Sequence, residues 1–252
     1  MELTHLTHGV GIAMPDGSTL PISHIIGIGR NYDEHAKEQG ETAPERPMIF
    51  TKNPAAACLD GDEIVIPPIC RDETTGGPEQ VDFEAELGVI LGSPPLGPRA
   101  APPTPMRDIP LDRALDFVLA YTCCNDISAR WWQKKGAGGQ FCRGKSFDTF
   151  CPIGPRLILP DEIEDPQKLR ILCRVNGTVM QQDSTANMIH PVATLISELS
   201  KGTTLLPGTL ILTGTPSGVG MARTPPAYLK AGDAVEVEIE KIGLLRNTVI
   251  DG

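Results

Sequence analysis

No stretch of about 18 consecutive apolar residues occurs in the chain, which excludes a membrane-spanning helix. Basic residues are the minority, with 22 Lys and Arg against 32 Asp and Glu and a formal net charge of −10. A surface with that balance repels phosphates and argues against a nucleic-acid partner. No Cys-x-x-Cys pair occurs, the seven cysteines are irregularly spaced, and no histidine stands at ligand spacing from Cys123-Cys124. Zinc is therefore disfavoured, and the thiols read as the buried, reduced cysteines of a cytosolic protein. Met1–Gly17 has no basic segment leading into an apolar one and no Arg-rich amphipathic pattern. The expected location is the cytoplasm, with a trimmed mitochondrial transit sequence as the alternative.

What the chain does have is turn chemistry. Its 252 residues include 26 Gly and 24 Pro, a composition that favours short strands and turns over long helices. Short, turn-bounded apolar runs predict strands at Ile25–Gly29, Met48–Thr51, Glu63–Ile66, Val81–Leu91, Phe117–Cys123, Leu169–Val175, Leu210–Thr213, Val235–Ile239 and Leu244–Val249. Asn176-Gly177 predicts a tight hairpin turn between Ile171–Val175 and Val179–Gln182. Helical signals are few: Tyr32–Gln39, Leu111–Asp116, and an amphipathic segment over Val192–Lys201 after Pro191. Ser93–Pro110 holds seven prolines and reads as an extended loop within one β-rich domain. The expected organisation is an extension over residues 1–24 followed by a catalytic domain over 25–252.

Gly139–Ser146 matches the phosphate-binding pattern G-x4-G-K-[ST]. That loop works only between a strand and a helix, so that the helix N-terminus faces the phosphates. Trp132–Gly138 is no strand, and Pro152 stops a long helix beyond Ser146, so the nucleotide reading fails on context.

A more informative stretch is Val81–Val89. In a strand, residues two apart share a face, which puts Glu84 and Glu86 roughly 7 Å apart on one side. Leu87, Val89 and Leu91 take the other side. Two like charges so held call for water or a hard divalent cation; a solvated strand face is the alternative. Asp126, ending the apolar run from Tyr121, adds a third carboxylate, giving an all-oxygen set suited to Mg²⁺ or Mn²⁺. Its alternative role is to cap a helix beginning near Ile127. If 29–38 is helical, His35 and Glu38 are i, i+3 neighbours, and a glutamate so placed orients an imidazole for general-base work. His5, His8, His24 and His190 have no carboxylate at useful spacing and read as structural or surface residues. The loop Leu212–Gly220 offers hydroxyls and free backbone N–H groups, a candidate anion nest. Lys52 and Lys145 stand near strand ends, where a surface role is the ordinary alternative.

Together these segments resemble the fumarylacetoacetate hydrolase family from about Ile25 to Val249. The resemblance rests on Gly-Arg-Asn-Tyr at 29–32, Phe50-Thr51-Lys52, Phe83–Leu87, Asn125–Arg130, Gly144–Asp148, Arg174–Gly177 and Leu212–Pro216. It implies an α+β, β-rich fold, a barrel-like roll of mixed strands with few short helices, in a homodimer. It implies that Glu84, Glu86 and Asp126 hold Mg²⁺ or Mn²⁺, and that His35 and Glu38 form a catalytic dyad on a segment that closes over substrate. Lys145 then acts in catalysis, while Arg30, Lys52, Arg130, Gln133 and Thr215 contact a small 2-oxo acid. The implied reaction is hydrolytic or decarboxylative C–C cleavage of an acylpyruvate, fumarylacetoacetate or oxaloacetate-type acid through a metal-stabilised enolate. Keto–enol isomerisation is the close alternative, and a non-catalytic metal-binding paralogue a further one. Arg223–Asp233 is most similar to the domain-containing branch linked to oxaloacetate tautomerisation, whereas the short N-terminus resembles single-domain acylpyruvate hydrolases and oxaloacetate decarboxylases. Three features depart from the family's pattern: Trp131-Trp132 after Arg130, the proline-rich insertion, and His190 where an aromatic is common.

Overall fold

Residues Ala234–Ile239 alternate in burial, with Val235, Val237 and Ile239 inside and Glu236 and Glu238 only partly covered. This period-two pattern is what a strand with one packed face requires, and it recurs through the molecule. A computed structural model describes residues 1–71, 78–92 and 105–252. In chain order it begins with β1 (Glu2–His5), β2 (Val10–Ala13) and β3 (Thr19–Pro21), an antiparallel sheet of their own. Then come β4 (His24–Gly29), α1 (Asp33–Glu38), β5 (Met48–Lys52), β6 (Ala57–Leu59), β7 (Glu63–Ile66), β8 (Val81–Asp82) and β9 (Ala85–Leu91). β10 (Val118–Asn125), β11 (Ser128–Ala129), α2 (Arg130–Lys134), α3 (Phe141–Lys145) and β12 (Cys151–Ile158) form the middle. The remainder is β13 (Arg170–Val175), β14 (Thr178–Ser184), α4 (Val192–Ser200), β15 (Thr209–Leu212), β16 (Ala234–Ile239) and β17 (Gly243–Asp251).

The main sheet has seven strands in the order β5-β4-β15-β9-β10-β12-β6 and curls into a half-barrel. A second sheet runs β14-β13-β16-β17-β7, and β8 pairs only with β11. Strands β9 and β10 are buried along their whole length because both faces are covered. Leu87, Val89 and Leu91 enter the larger core with Val237, Leu245 and Phe150. Ile90 turns the other way, into a smaller core with Leu210, Leu212 and Cys124. The fold is the β-rich roll the sequence leads one to expect.

The differences from expectation have local causes. Val81–Leu91 is two strands, because Phe83 and Glu84 leave the ladder: the Phe83 N–H goes to Asp82 Oδ1 (2.9 Å) and the Glu84 N–H to Asn125 Oδ1 (3.0 Å). β12 and the N-terminal sheet are strands that sequence periodicity did not reveal; Pro152, Gly154 and Pro155 hide the pattern in the first. Leu111–Phe117 is a 3₁₀ helix against which α4 packs, with Leu195, Ile196 and Leu199 of α4 buried. Of the proline-rich stretch, residues 93–104 lie outside the described residues. All seven cysteines are free thiols, and Cys142 alone among them is exposed. No described helix is long and apolar enough to cross a membrane.

Candidate metal centre and active site

Antiparallel pairing of β9 with β10 sets Ala85 opposite Asn125 and Glu86 opposite Cys124. Glu84, just before β9, and Asp126, just after β10, therefore emerge at the same end of the sheet, where the Asp126 N–H bonds to Glu84 O at 2.9 Å. Each of Glu84, Glu86 and Asp126 offers an oxygen within 4.8 Å of the others, and all three are buried. Burial and the Asp126 and Glu84 charges push the Glu86 carboxyl well above its ordinary pKa. Three converging buried carboxylates fit a hard divalent cation, which would offset that repulsion. No helix begins at Ile127; Asp126 serves the cluster instead of a cap.

Cations surround the cluster. Lys145 Nζ donates to Glu84 Oε2 (2.7 Å), Asp126 Oδ2 (2.5 Å) and Ser128 Oγ (2.7 Å). Burial opposes its charge, but Asp126 and Glu84 outweigh that and raise its pKa. α3 reaches this depth because it lies directly on α2, where a Cβ on Gly144 would stand 2.3 Å from Gln133 N. The Gly139–Ser146 match to a phosphate loop thus delivers a lysine to carboxylates. Arg130 Nη1 lies 2.8 Å from Glu84 Oε1 and donates to Gln133 Oε1 at 3.0 Å, while its Nε donates to Asp82 Oδ2 at 2.9 Å. Burial alone would raise the Glu84 carboxyl; Lys145 and Arg130 hold it well below the usual range.

Lys52 lies deeper than the other basic residues of the site. It does not border the cavity: from the end of β5 its Nζ bonds to Asp126 Oδ1, Phe150 O (2.7 Å) and Ile127 O (3.3 Å), behind the cluster. Each of these three hydrogen bonds goes to the protein itself, one of them to Asp126.

The centre opens into a cavity of about 320 Å³ bordered by Glu84, Glu86, Lys145, Arg130, Gln133, His35, Arg30 and Thr215. His35 is 3% exposed, with Nδ1 at 2.6 Å from Glu38 Oε1. Arg30, at φ 55°, ends β4 and turns the chain into α1. On α2, Arg130, Gln133 and Lys134 border the cavity at i, i+3 and i+4. Trp131 and Trp132 pack edge-to-face with each other and Trp132 packs on Phe147, so the tryptophans that depart from the family's pattern do not border the cavity. Thr215 borders it, but its hydroxyl is engaged, donating to Ala85 O (2.9 Å) and accepting from Gln181 Nε2 (2.7 Å).

The candidate anion nest at Leu212–Gly220 holds the protein's own anions. The Gly214 N–H goes to Glu86 Oε2 (2.6 Å), the Gly218 N–H to Glu38 Oε2 (2.8 Å) and the Gly220 N–H to Asp82 Oδ1 (2.7 Å). Sequence reasoning missed Asp82, Gln181 and Asn31. Asp82 joins Arg130 to the loop, and Gln181 joins Ala85 N–H to Thr215 and Pro216. Asn31 ties the start of α1 to Thr213 O and to the backbone of His190. It also missed Gln39 and Lys134, both on the cavity wall. Glu-x-Glu signals charge by repetition; an isolated Asp, Asn or Gln carries no such signal.

The fumarylacetoacetate (FAA) hydrolase C-terminal family matches residues 24–250. The chain belongs to this family of enzymes. Human mitochondrial oxaloacetate tautomerase FAHD2A is 40% identical over 226 residues, covering 90% of this chain and 66% of that protein. The chain thus spans just under two thirds of that relative's length. Among solved structures, the fumarylacetoacetate hydrolase from psychrophilic Exiguobacterium antarcticum is 36% identical with a TM-score of 0.77, covering 98% of this chain and 80% of that one. A 2-hydroxyhepta-2,4-diene-1,7-dioate isomerase from Mycobacterium marinum is 35% identical with a TM-score of 0.72, covering 91% and 75%. Family members thus include isomerases and hydrolases built on this fold.

Proposed function

We propose that this protein is a divalent-metal-dependent enzyme that moves a C3 proton of a 2-oxo acid, interconverting the keto and enol forms of an oxaloacetate-type substrate. The observation that carries the reading is the placement of the Glu38-oriented His35 on one small cavity with Glu84 and Glu86, whose carboxylates converge with that of Asp126 just behind its wall. A divalent cation held by Glu84, Glu86 and Asp126 supplies Lewis-acid polarisation of the substrate's oxygens. His35, with Nδ1–H directed to Glu38, leaves Nε2 to accept the proton and return it. Lys145 and Arg130 keep Glu84 ionised and aimed, Lys145 also holds Asp126 Oδ2, and Gln133 and Lys134 face the far end of the substrate. The name of the human relative, an oxaloacetate tautomerase, supports the same chemistry.

The second reading is the C–C cleavage expected from the sequence. It is favoured by the Exiguobacterium hydrolase, and it uses the same base to activate water. Cation-stripped protein, with and without added Mg²⁺ or Mn²⁺, separates the two on oxaloacetate, acetylpyruvate and fumarylacetoacetate. Faster enol decay with carbon conserved supports tautomerisation; cation-dependent loss of C–C bonds assigns cleavage. Silence on all three acids, or turnover unaffected by stripping the cation, would sink the proposal.

We further propose that the protein is a homodimer, which light scattering tests. Seven free thiols suit either the cytoplasm or the mitochondrial setting named for the human relative.

A further inference from the structure

The His35 imidazole is engaged at both nitrogens, and the dyad accounts for one of the two partners. Glu38 meets Nδ1 with Oε1 at 2.6 Å and takes the Gly218 N–H on Oε2 at 2.8 Å. A carboxylate accepting on both oxygens places a hydrogen on Nδ1, so in the neutral ring the lone pair sits on Nε2. Gln39 Nε2 stands 2.8 Å from that atom. With Nδ1–H fixed, this contact is an amide N–H donated to the lone pair. The atom that must receive the substrate's proton is therefore already capped, by a residue that borders the same cavity.

A primary amide has a donor on one side and an acceptor on the other, exchanged by a half-turn of its last torsion. Turned, Gln39 presents Oε1 to Nε2 and accepts the hydrogen of a protonated ring. His35 is buried, and a buried N–H without an acceptor is costly. The Gln39 backbone is held meanwhile, its N–H bonded to Ala36 O at 3.2 Å at the end of α1.

We propose that Gln39 is a positioning residue for proton transfer: its amide nitrogen holds the Nε2 lone pair at rest, and its amide oxygen holds Nε2–H after His35 takes the proton. The inference rests on the reading of His35 as the base. In the step itself the Gln39 N–H leaves the Nε2 lone pair, the C3–H bond breaks with its proton passing to that lone pair, and its electron pair becomes the C2–C3 double bond. The carbonyl π pair moves to the C2 oxygen, and the proton rests on Nε2 until it returns to that oxygen. No oxidant or co-reactant is needed.

The test uses the full chain with Gln39→Met, which fills the space without either polar end, and Gln39→Glu, which at neutral pH only accepts. In cation-loaded protein acting on oxaloacetate, Gln39→Met lowers kcat about tenfold or more while KM stays within about twofold. Nitrogen-15 spectra of histidine-labelled, cation-free protein give a readout independent of turnover. Wild-type His35 shows the neutral Nδ1–H tautomer, and Gln39→Glu shows both nitrogens protonated at neutral pH. Wild-type kcat in Gln39→Met, a loss expressed in KM alone, or a neutral ring in Gln39→Glu overturns the proposal. Full turnover in His35→Ala removes the base itself, and the role of Gln39 falls with it.

Discussion

Gly218 donates its backbone N–H to Glu38 Oε2 at 2.8 Å, so a loop 180 residues away in sequence holds the far oxygen of the carboxylate that orients His35. The dyad is thus part of a three-membered arrangement: loop, glutamate and imidazole. Gly218 has φ 103°, and a Cβ there would stand 2.2 Å from Met180 O. Gly218→Ala is expected to cost about 1–3 kcal/mol of stability through backbone strain and displacement of the loop. It should also lower kcat roughly tenfold by loosening the base. Thermal melts and steady-state kinetics check this; a lower Tm with unchanged kcat would detach the loop from the chemistry.

Lys52 distinguishes orienting a ligand from touching substrate. Lys52→Met removes the cation behind Asp126 and is expected to weaken Mn²⁺ binding about 10–100-fold, as loss of an outer partner does at other metal sites. Calorimetric titration with Mn²⁺ measures it. A raised KM with cation affinity intact would return Lys52 to the substrate.

Glu86 and Glu84 have opposite pH signatures. Burial with Asp126 and Glu84 raises the Glu86 pKa above its ordinary 4.5. Without cation, the folded state keeps a proton there that the unfolded chain loses above about 4.5, so this contribution to stability falls as pH climbs toward the folded pKa. Glu84, held low by Lys145 and Arg130 against the effect of burial, adds stability that is present above its ordinary pKa and lost as pH falls toward its folded value. A cation displaces the Glu86 proton, so the gain in Tm from Mg²⁺ or Mn²⁺ over chelator should grow as pH rises above the ordinary glutamate pKa of 4.5. A pH-independent gain would take Glu86 out of the ligand set.

Lys134 is an exposed residue at the edge of the cavity and makes no ion pair with any described residue; partial desolvation and the Arg130 and Arg30 charges lower its pKa. Such a cation favours a substrate with a second carboxylate. Lys134→Met should raise KM for oxaloacetate by roughly fivefold or more, and more at low salt, with a smaller change for acetylpyruvate. Equal effects on both acids would show that it does not sense the distal charge.

Much of the fold was legible because burial imposes a period of two: Glu63–Ile66 is a strand as expected, and the boundaries of most other strands move by one or two residues. The Asn176-Gly177 turn does join β13 to β14. β12 was not legible because prolines and glycine interrupt its pattern, and its pairing with β10 comes from across the chain. At the site, Glu84 and Glu86 announced themselves by repetition. Asp82 and Gln181 read as ordinary polar residues until partners 138 and 96 residues away enclosed them.

By itself the sequence determined the strand-rich class through composition and periodicity; spacing made Glu84, Glu86, Asp126 and the His35–Glu38 pair candidates, and only the family resemblance gave them roles. Tertiary structure decided what those groups can do. It placed Lys52 behind Asp126, gave the Leu212–Gly220 N–H groups to the protein's own carboxylates, and brought Gln39 onto the free nitrogen of His35. The physical reason is that a polar group's role is set by which partner replaces its water on burial. For the loop and Lys52 that partner comes from a distant part of the chain; for Gln39, four residues from His35, side-chain direction decides, and sequence spacing does not record it.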